Sequence, residues 1–527
     1  MTAAPFEWGR DVVESTLDGH PLRVYAPRRT HLVQFLEDAR PWADREYLVQ
    51  GERRLTFAQH ERCVDRVADL LVRHGVAPGD RVMLLAANSI EWVVAYWAIL
   101  KARAVVVSAN AWWSEHEVAG AIAIAQPRLV IADARRTARL PPGTACLDVG
   151  DVRAAAEDEK SQAPSLPVPP HDEHDAAVVL FTSGTTGAPK GAVLSHRSQI
   201  AHQHNQFVRL GVLPHQLDAS APAAKTLASS PLFHVAGLMV IMGSLLAGGC
   251  IVMTEGRYEA RQIFDLVARE RITRWGAVPT MAVRLLDDPG LATADLSSLT
   301  QVMLGGSRIP PGLPARVREA IPSVESGIAV IYGLSEAGGL LASISGPDLK
   351  AHPGSVGKPY PVVEIRIDRP DADGCGEILA RSPTNMSGYL GRPDDRTLDA
   401  EGFLHTGDLG RLDADGYLYI TGRGKEVIIR GGENVSAPHV ENCLLQVPGV
   451  REVAVLGLEH ADWGEEVGAA VVVHAGAAVH ADDLRAHCAR RLAHFEVPTR
   501  WWIRTAPLPT NDSGKIVKPR VAAEWPA

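Results

Sequence analysis

Residues 81–110 read RVMLLAANSIEWVVAYWAILKARAVVVSAN. The run VMLLAAN is apolar and short, with the character of a strand. SIEWVVAYWAILKA follows with apolar residues at helical spacing, and Asn88 or Ser89 stands where a helix cap belongs. AVVVSAN is a second buried-strand run. Strand, helix and strand in so short a span read as a βαβ unit on a parallel sheet. The pattern recurs outward: LVIAD at 129–133 and AVVLFTS at 177–183 read as strands, and ARQIFDLVARERI at 260–272 reads as a helix before an apolar turn, WGAVP. The first four hundred residues therefore read as layered α/β.

Bulk properties set the frame. A chain of 527 residues exceeds one compact core and implies two to four folding units. Hydrophobic residues at 46% and charged residues at 22% are ordinary for a globular protein. The net charge is -9 with no run of Lys or Arg, which argues against nucleic acid as partner but leaves room for a small anion. The six cysteines are scattered without a CxxC pair, so neither a zinc site nor a disulfide framework is expected, and a cytoplasmic location fits best. No basic segment followed by an apolar stretch opens the chain, so no signal peptide is expected. Residues 235–254, VAGLMVIMGSLLAGGCIVMT, carry no charge. Gly248-Gly249 divides them into a helix-like and a strand-like half, so a buried helix and strand are expected in place of a membrane span.

Two composition shifts mark organisation. Residues 154–175 are rich in Pro, Ser, Glu and Asp and read as a surface connection. Near Gly422 a β-rich stretch, GFLHTGDLGRLDADGYLYITGR, gives way to strand-like VREVAVLGL and VGAAVVVHA, helix-like ADDLRAHCARRLAHF and strand-like TRWWIRT. The expected division is a large N-terminal domain of layered α/β subdomains, residues 1–424, and a small C-terminal α+β domain, residues 425–527.

The strongest chemical signal is VVLFTSGTTGAPKGAVLSH at 178–196. A buried strand runs into Thr182, Ser183, Gly184, Thr185, Thr186 and Gly187, and Lys190 follows beyond a proline. Gly184 and Gly187 allow backbone conformations that turn amides toward a polyanion. Ser183, Thr185 and Thr186 add hydroxyl donors, and Lys190 adds a point charge. The spacing differs from the P-loop, in which a Ser or Thr follows the lysine directly.

With these residues the chain resembles the acyl-adenylate-forming superfamily of acyl-CoA synthetases, peptide-synthetase adenylation domains and beetle luciferases. The resemblance runs from LTFAQHERCVDRVADLL near residue 55 almost to the C-terminus, with the motifs in family order. Tyr332-Gly333-Leu334-Ser335-Glu336 is similar to the family's Tyr-Gly-x-Thr-Glu. The resemblance implies that Tyr332 packs on adenine, that Ser335 reaches phosphate and that Glu336 holds Mg2+. Gly305-Gly306-Ser307 resembles the loop beside adenine and the acyl pocket. Asp408, in His-Thr-Gly-Asp, would take the ribose hydroxyls. Arg423 would contact ribose or phosphate, and Lys425 falls at the family's hinge position. Gly431 and Gly432 resemble the segment that lines the pantetheine tunnel for coenzyme A. Residues 437–441, APHVE, depart from the family's Pro-x-Glu-Ile-Glu, and Glu496 stands where the family often has Lys or Arg. Lys515, in PTNDSGK, matches the catalytic lysine that bridges the attacking carboxylate and the α-phosphate.

The same resemblance locates an acyl pocket at Pro231-Leu232-Phe233-His234. No acid follows Phe233, so a substrate ammonium would lack a counter-charge and amino acids are disfavoured. His234, Val278, Gly305, Gly333, Gly338 and Leu340 are the expected walls, and their apolar character fits a fatty or aromatic carboxylic acid. The implied reaction is an AMP-forming acyl-CoA ligation with ATP, Mg2+ and coenzyme A. Rival readings are loading of a separate carrier protein, a luciferase-like oxygenase and a catalytically silent nucleotide-binding homologue. Self-association as a homodimer is left open.

Overall fold

The fold is that of a computed structural model, which describes residues 6–17, 19–161, 172–182, 190–256, 258–307, 309–310, 312–392, 395–424, 427–430, 433–460, 463–492, 494–511 and 514–526.

The βαβ reading of residues 81–110 holds. Strand Arg81–Leu85 lies parallel to Val105–Ser108, with Arg81 opposite Val105, and parallel on its other side to Leu129–Ala132. Helix Ile90–Lys101 joins the first two, and Ser89 is its cap, its Oγ accepting from Trp92 N at 3.1 Å. Asn88 is engaged elsewhere. Its side chain donates to Ser230 O and accepts from Leu232 N, tying this turn to the segment before His234. Every residue of the helix is buried. That is why its pattern is apolar all round and not a stripe. Its two charged members are paired, Glu91 with Arg53 at 2.6 Å and Lys101 with Asp65.

These strands belong to a seven-stranded sheet whose order continues through Ala176–Thr182 to the antiparallel strand Lys190–Ser195 and the short Gly388–Tyr389. A second sheet of nine strands carries Arg274–Ala277, Gln301–Leu304, Ile328–Leu334 and Gly339–Ser345 on one side. On the other it continues through Lys225–Ala228 and Cys250–Met253 to Glu46–Gln50 and Arg53–Thr56. Helices Ile90–Lys101, His196–Leu210 and Val235–Ala247 share one apolar core with residues of both sheets, among them Leu84, Val106, Leu48 and Ile251.

Helix His196–Leu210 is unusual in burying His196, Arg197, Gln199, His202, Gln203, His204 and Asn205. Part of this polarity is answered by the N-terminal segment. Tyr25 Oη donates to Asn205 Oδ1 at 2.9 Å, His204 Nε2 donates to Gly9 O at 2.6 Å, and the Trp8 ring meets His204 edge-on.

Three local expectations are corrected. WGAVP is not a turn: Arg274–Ala277 is a strand inside the nine-stranded sheet, where its neighbours satisfy its backbone. The connection expected from residue 154 begins later, because helix Val149–Glu157, capped by Asp148, occupies its first residues. The helix expected over 260–272 stops at Glu270, where Arg271 turns left-handed at φ 54°. Residues 235–254 fold as expected into helix Val235–Ala247 and strand Cys250–Met253. Among the described residues no helix is long and apolar enough to cross a membrane.

A four-stranded sheet, Glu364–Asp368, Gly376–Arg381, Leu404–Leu412 and Leu418–Arg423, completes the large unit. Beyond it lies a separate five-stranded sheet built on Val450–His460 and Gly464–Val473, with Arg500–Arg504 parallel to the latter and its own apolar core.

Candidate active site

Three of the predicted residues meet at one carboxylate, that of Asp408. Asp408 lies on strand Leu404–Leu412, opposite Arg423 at the end of Leu418–Arg423. Its Oδ1 accepts from Arg423 Nε at 2.6 Å, and its Oδ2 accepts from Tyr332 Oη at 2.9 Å. Thr406 Oγ1 fixes the turn by accepting from Asp408 N. Asp408 is 5% exposed, whereas the Arg423 side chain is 57% exposed. Burial, and then the Asp408 charge, push the Tyr332 phenol well above its usual range. Strand Ile328–Leu334 delivers Tyr332 and Gly333, and the one-turn helix Ser335–Ala337 that follows presents Ser335 and Glu336.

Glu336 is oriented from two sides. Its Oε1 accepts from Tyr389 Oη at 2.8 Å, and its carbonyl accepts from Met386 N. Tyr389 pairs in register with Ala192 on the strand that begins at Lys190. Lys190 stands opposite Thr182 across the hairpin, with Nζ 2.9 Å from Asp395 Oδ2 and 4.5 Å from the centre of the Tyr389 ring. Burial opposes ionisation of Asp395, yet hydrogen bonds from Thr397 and Lys190 outweigh it and hold the carboxyl below its usual range. Lys190, Tyr389 and Glu336 therefore form one connected line. Sequence reasoning does not find Tyr389 and Asp395, because their partners lie far away in the chain and no local pattern marks them.

Lys515 reaches the same place from the small unit. Its N–H donates to Asn511 Oδ1 at 2.8 Å, and its carbonyl accepts from Asn511 N at 2.7 Å. Gly514 turns at φ 79°, and a Cβ there would stand 3.2 Å from Val278 Cγ2, so the loop rests on Val278 of the large unit. Gly306 meets the same valine, its own Cβ position lying 3.5 Å from Val278 Cγ1. Burial lowers the Lys515 amine pKa, Arg423 lowers it further, and Asp408 and Glu336 act against the shift. Burial also lowers the His234 imidazole to about 4, with a second contribution from Lys515. His234 thus lies within electrostatic reach of Lys515 and stands at the N-cap position of helix Val235–Ala247 without a capping side-chain bond.

The remaining predicted residues divide. Gly305, Gly306 and Ser307 follow strand Gln301–Leu304 beside Val278. Gly333 and Gly338 are glycines for packing reasons: a Cβ on either would lie 2.0 Å from a backbone oxygen, that of Gly339 or of Thr384. Leu340 is buried. Ser183, Gly184, Thr185, Thr186, Gly187, Lys425, Gly431 and Gly432 lie outside the described residues.

A carboxylate gripped by a phenol and a guanidinium, a second carboxylate beside a lysine, and a third cation carried in by another unit make a charged cluster whose groups can bind phosphate and hydroxyl. Family models agree with this class. The model described as AMP-binding enzyme matches residues 35–390, and that described as AMP-binding enzyme C-terminal domain matches 439–515. The chain belongs to this AMP-binding enzyme family, as an enzyme of the AMP-forming acid–thiol ligase kind. It is 34% identical to a feruloyl-CoA synthase from an Amycolatopsis species over 89% of this chain and 94% of that protein. It is 31% identical to the long-chain-fatty-acid–CoA ligase FadD13 of Mycobacterium tuberculosis over 90% of this chain and 94% of that one. The ATP-bound structure of MatB from Rhodopseudomonas palustris superposes with a TM-score of 0.82 at 27% identity, covering 94% and 98% of the two chains.

Proposed function

We propose that this protein is an ATP-dependent acyl-CoA ligase acting on a fatty or aromatic carboxylic acid, releasing AMP and pyrophosphate. The observation that carries the reading is that Lys515 lies within electrostatic reach of Arg423, Asp408 and Glu336, residues from distant segments, while its loop rests on Val278. The relatives named for feruloyl and long-chain fatty acyl thioesters support an acid of either kind.

In this reading Asp408 accepts the ribose hydroxyls, and Arg423 stays beside it. Tyr332 and Gly305–Ser307 border the base. Thr182 and the loop 183–187 receive the phosphates, and Lys190 exchanges Asp395 for phosphate oxygen. The acid lies between His234 and Val278. Its carboxylate attacks the α-phosphorus in line, and the bond to pyrophosphate breaks. Lys515 neutralises charge that builds between the two reactants, while the rest of the site positions them. Glu336 fits a magnesium ion, because its Oε2 has no hydrogen-bond partner among the described residues and Mg2+ needs only one or two carboxylates. A metal held by Glu336 would supply positive charge to the pyrophosphate leaving group. Residues 425–527 then turn about Lys425, withdrawing Lys515 and bringing Gly431 and Gly432 to the adenylate, where the coenzyme A thiol displaces AMP. Burial and Lys515 lower the His234 pKa to about 4, which leaves the imidazole neutral near pH 7. A cytoplasmic location suits these substrates.

The test is product analysis with purified protein, ATP, Mg2+, coenzyme A and a panel of short, medium, long and aromatic acids. AMP, pyrophosphate and acyl-CoA in equal amounts are expected. ADP in place of AMP would overturn the mechanism. Acyl-AMP that reacts with a phosphopantetheinyl carrier protein but not with coenzyme A would move the enzyme to the carrier-loading class.

A further inference from the structure

Lys190 is paired before any ligand reaches it. Its Nζ lies 2.9 Å from Asp395 Oδ2 and 4.5 Å from the centre of the Tyr389 ring. The lysine and aspartate side chains are 21% and 16% exposed, so water screens the pair weakly. Asp395 is not a loose surface acid that swings onto a nearby lysine. Its Oδ1 accepts from Thr397 N at 3.0 Å and from Thr397 Oγ1. Thr397 is itself fixed, because its carbonyl accepts at 2.7 Å from His405 N on strand Leu404–Leu412, the strand that carries Asp408. One carboxylate oxygen thus holds the loop, and the other is aimed at the lysine. Hydrogen bonds from Thr397 and Lys190 also keep Asp395 ionised against its burial.

A carboxylate in that position works against an anion-binding lysine. A phosphate oxygen that comes to Nζ either displaces Oδ2 or lies beside a second negative charge, and like charges at such distances repel at the effective dielectric of a protein. ATP binding therefore carries a cost that a site without Asp395 avoids. The sign reverses when the reaction is over. ATP is held through base, ribose and phosphates together. Pyrophosphate, once its bond to the α-phosphorus has broken, no longer shares the contacts at Tyr332 and Asp408. The lysine has a flexible four-carbon stem, and Asp395 stands within its reach on the same chain, at high effective concentration.

We propose that Asp395 governs the release of pyrophosphate: it recaptures Lys190 once the leaving group has formed and so empties the phosphate site before coenzyme A is used. This rests on the ligase reading and adds to it a positioning residue that acts through Lys190 and not on the substrate. The step makes and breaks no covalent bond. Lys190 stays protonated, and one ion pair replaces another.

The experiment titrates inorganic pyrophosphate into the whole enzyme by calorimetry at a fixed Mg2+ concentration, without ATP or acid. Asp395→Asn has nearly the same size and keeps an oxygen for Thr397, but carries no charge. Its Kd for pyrophosphate should be at least about fivefold below that of wild type. The KM for ATP should fall at least about threefold, while the KM for the acid stays within about twofold. A residue that only supports the fold predicts the opposite sign, weaker binding of both phosphate ligands. Where the Asn variant shows no melting transition, Thr397→Val takes its place: it frees the carboxylate from one anchor and should lower the pyrophosphate Kd at least about twofold. A folded Asp395→Asn protein, or in its stead a folded Thr397→Val protein, whose pyrophosphate Kd is unchanged or raised overturns the inference and leaves the ligase reading standing. AMP formed from none of the acids overturns the ligase reading and this inference with it.

Discussion

Replacing Lys515 with Ala isolates a single charge. The loop that carries it is shaped by backbone hydrogen bonds to Asn511 and by contact of Gly514 with Val278, none of which uses the lysine side chain. The variant should therefore fold, and melting should be close to wild type. Its amine stands in a dry site where burial and Arg423 disfavour the charge and Asp408 and Glu336 only partly compensate. Such a cation is most useful to an additional anion. A unit charge about 4 Å from another contributes about 4 kcal/mol at the effective dielectric of a protein surface, which corresponds to about 10³ in rate. Losing one preorganised donor in other enzymes costs about 10²–10³, in agreement. Lys515→Ala should thus lower acid-dependent pyrophosphate exchange by about 10²–10³-fold. Conversion of supplied acyl-adenylate and coenzyme A to thioester should fall less than threefold, because the proposed rotation about Lys425 withdraws the lysine in that step. A loss below tenfold in the first assay, or equal losses in both, would refute the reasoning.

Four further outcomes follow from the geometry. Asp408→Ala leaves Arg423 and Tyr332 without their shared acceptor and removes the ribose contact, so the KM for ATP should rise by about 10- to 100-fold, at about 1.5–3 kcal/mol for a charged hydrogen bond. Gly338→Ala places a methyl 2.0 Å from Thr384 O at φ 64°, and unfolding should show a loss of at least about 1–3 kcal/mol. The lowered Lys515 pKa predicts that kcat/KM for adenylation declines with rising pH through an apparent pKa below 10.5, a limb that Lys515→Ala should lack. Burial holds His60 near pKa 3 and His202 and His204 near 4, against 6.5 unfolded. Below pH 6.5 the unfolded chain takes up protons that the folded one refuses, so stability is fully present above that pH and falls toward pH 4. The slope approaches about 1.4 kcal/mol per histidine per pH unit, and a melting temperature that stays flat from pH 7 to 5 would contradict it.

Much of this architecture is written locally. The strand–helix–strand of residues 81–110 is set by an apolar run, a serine cap and helical spacing, all of which act over a few residues. The division of residues 235–254 at Gly248-Gly249 is equally local. The nine-stranded sheet is not, because Leu48 pairs with Ile251 and no rule of short range links two strands so distant. The strand Arg274–Ala277 reads as a turn for the same reason: four residues hold too little pattern, and its partners decide its state. At the site, Asp408, Arg423, Glu336 and Lys515 are legible through family resemblance. The partners that orient Glu336 and Lys190, which are Tyr389 and Asp395, are matters of tertiary distance alone.

Helix His196–Leu210 is held at two places along its length. Its outer turns hold Gly9, Tyr25 and Trp8 of the amino-terminal segment, and its Gln199 holds Gly338. A polar helix clamped in this way has little freedom to slide, since each displacement breaks several directional bonds at once. The amino-terminal segment and the loop at Gly338 are thus braced against one helix, and a change in either is felt along it.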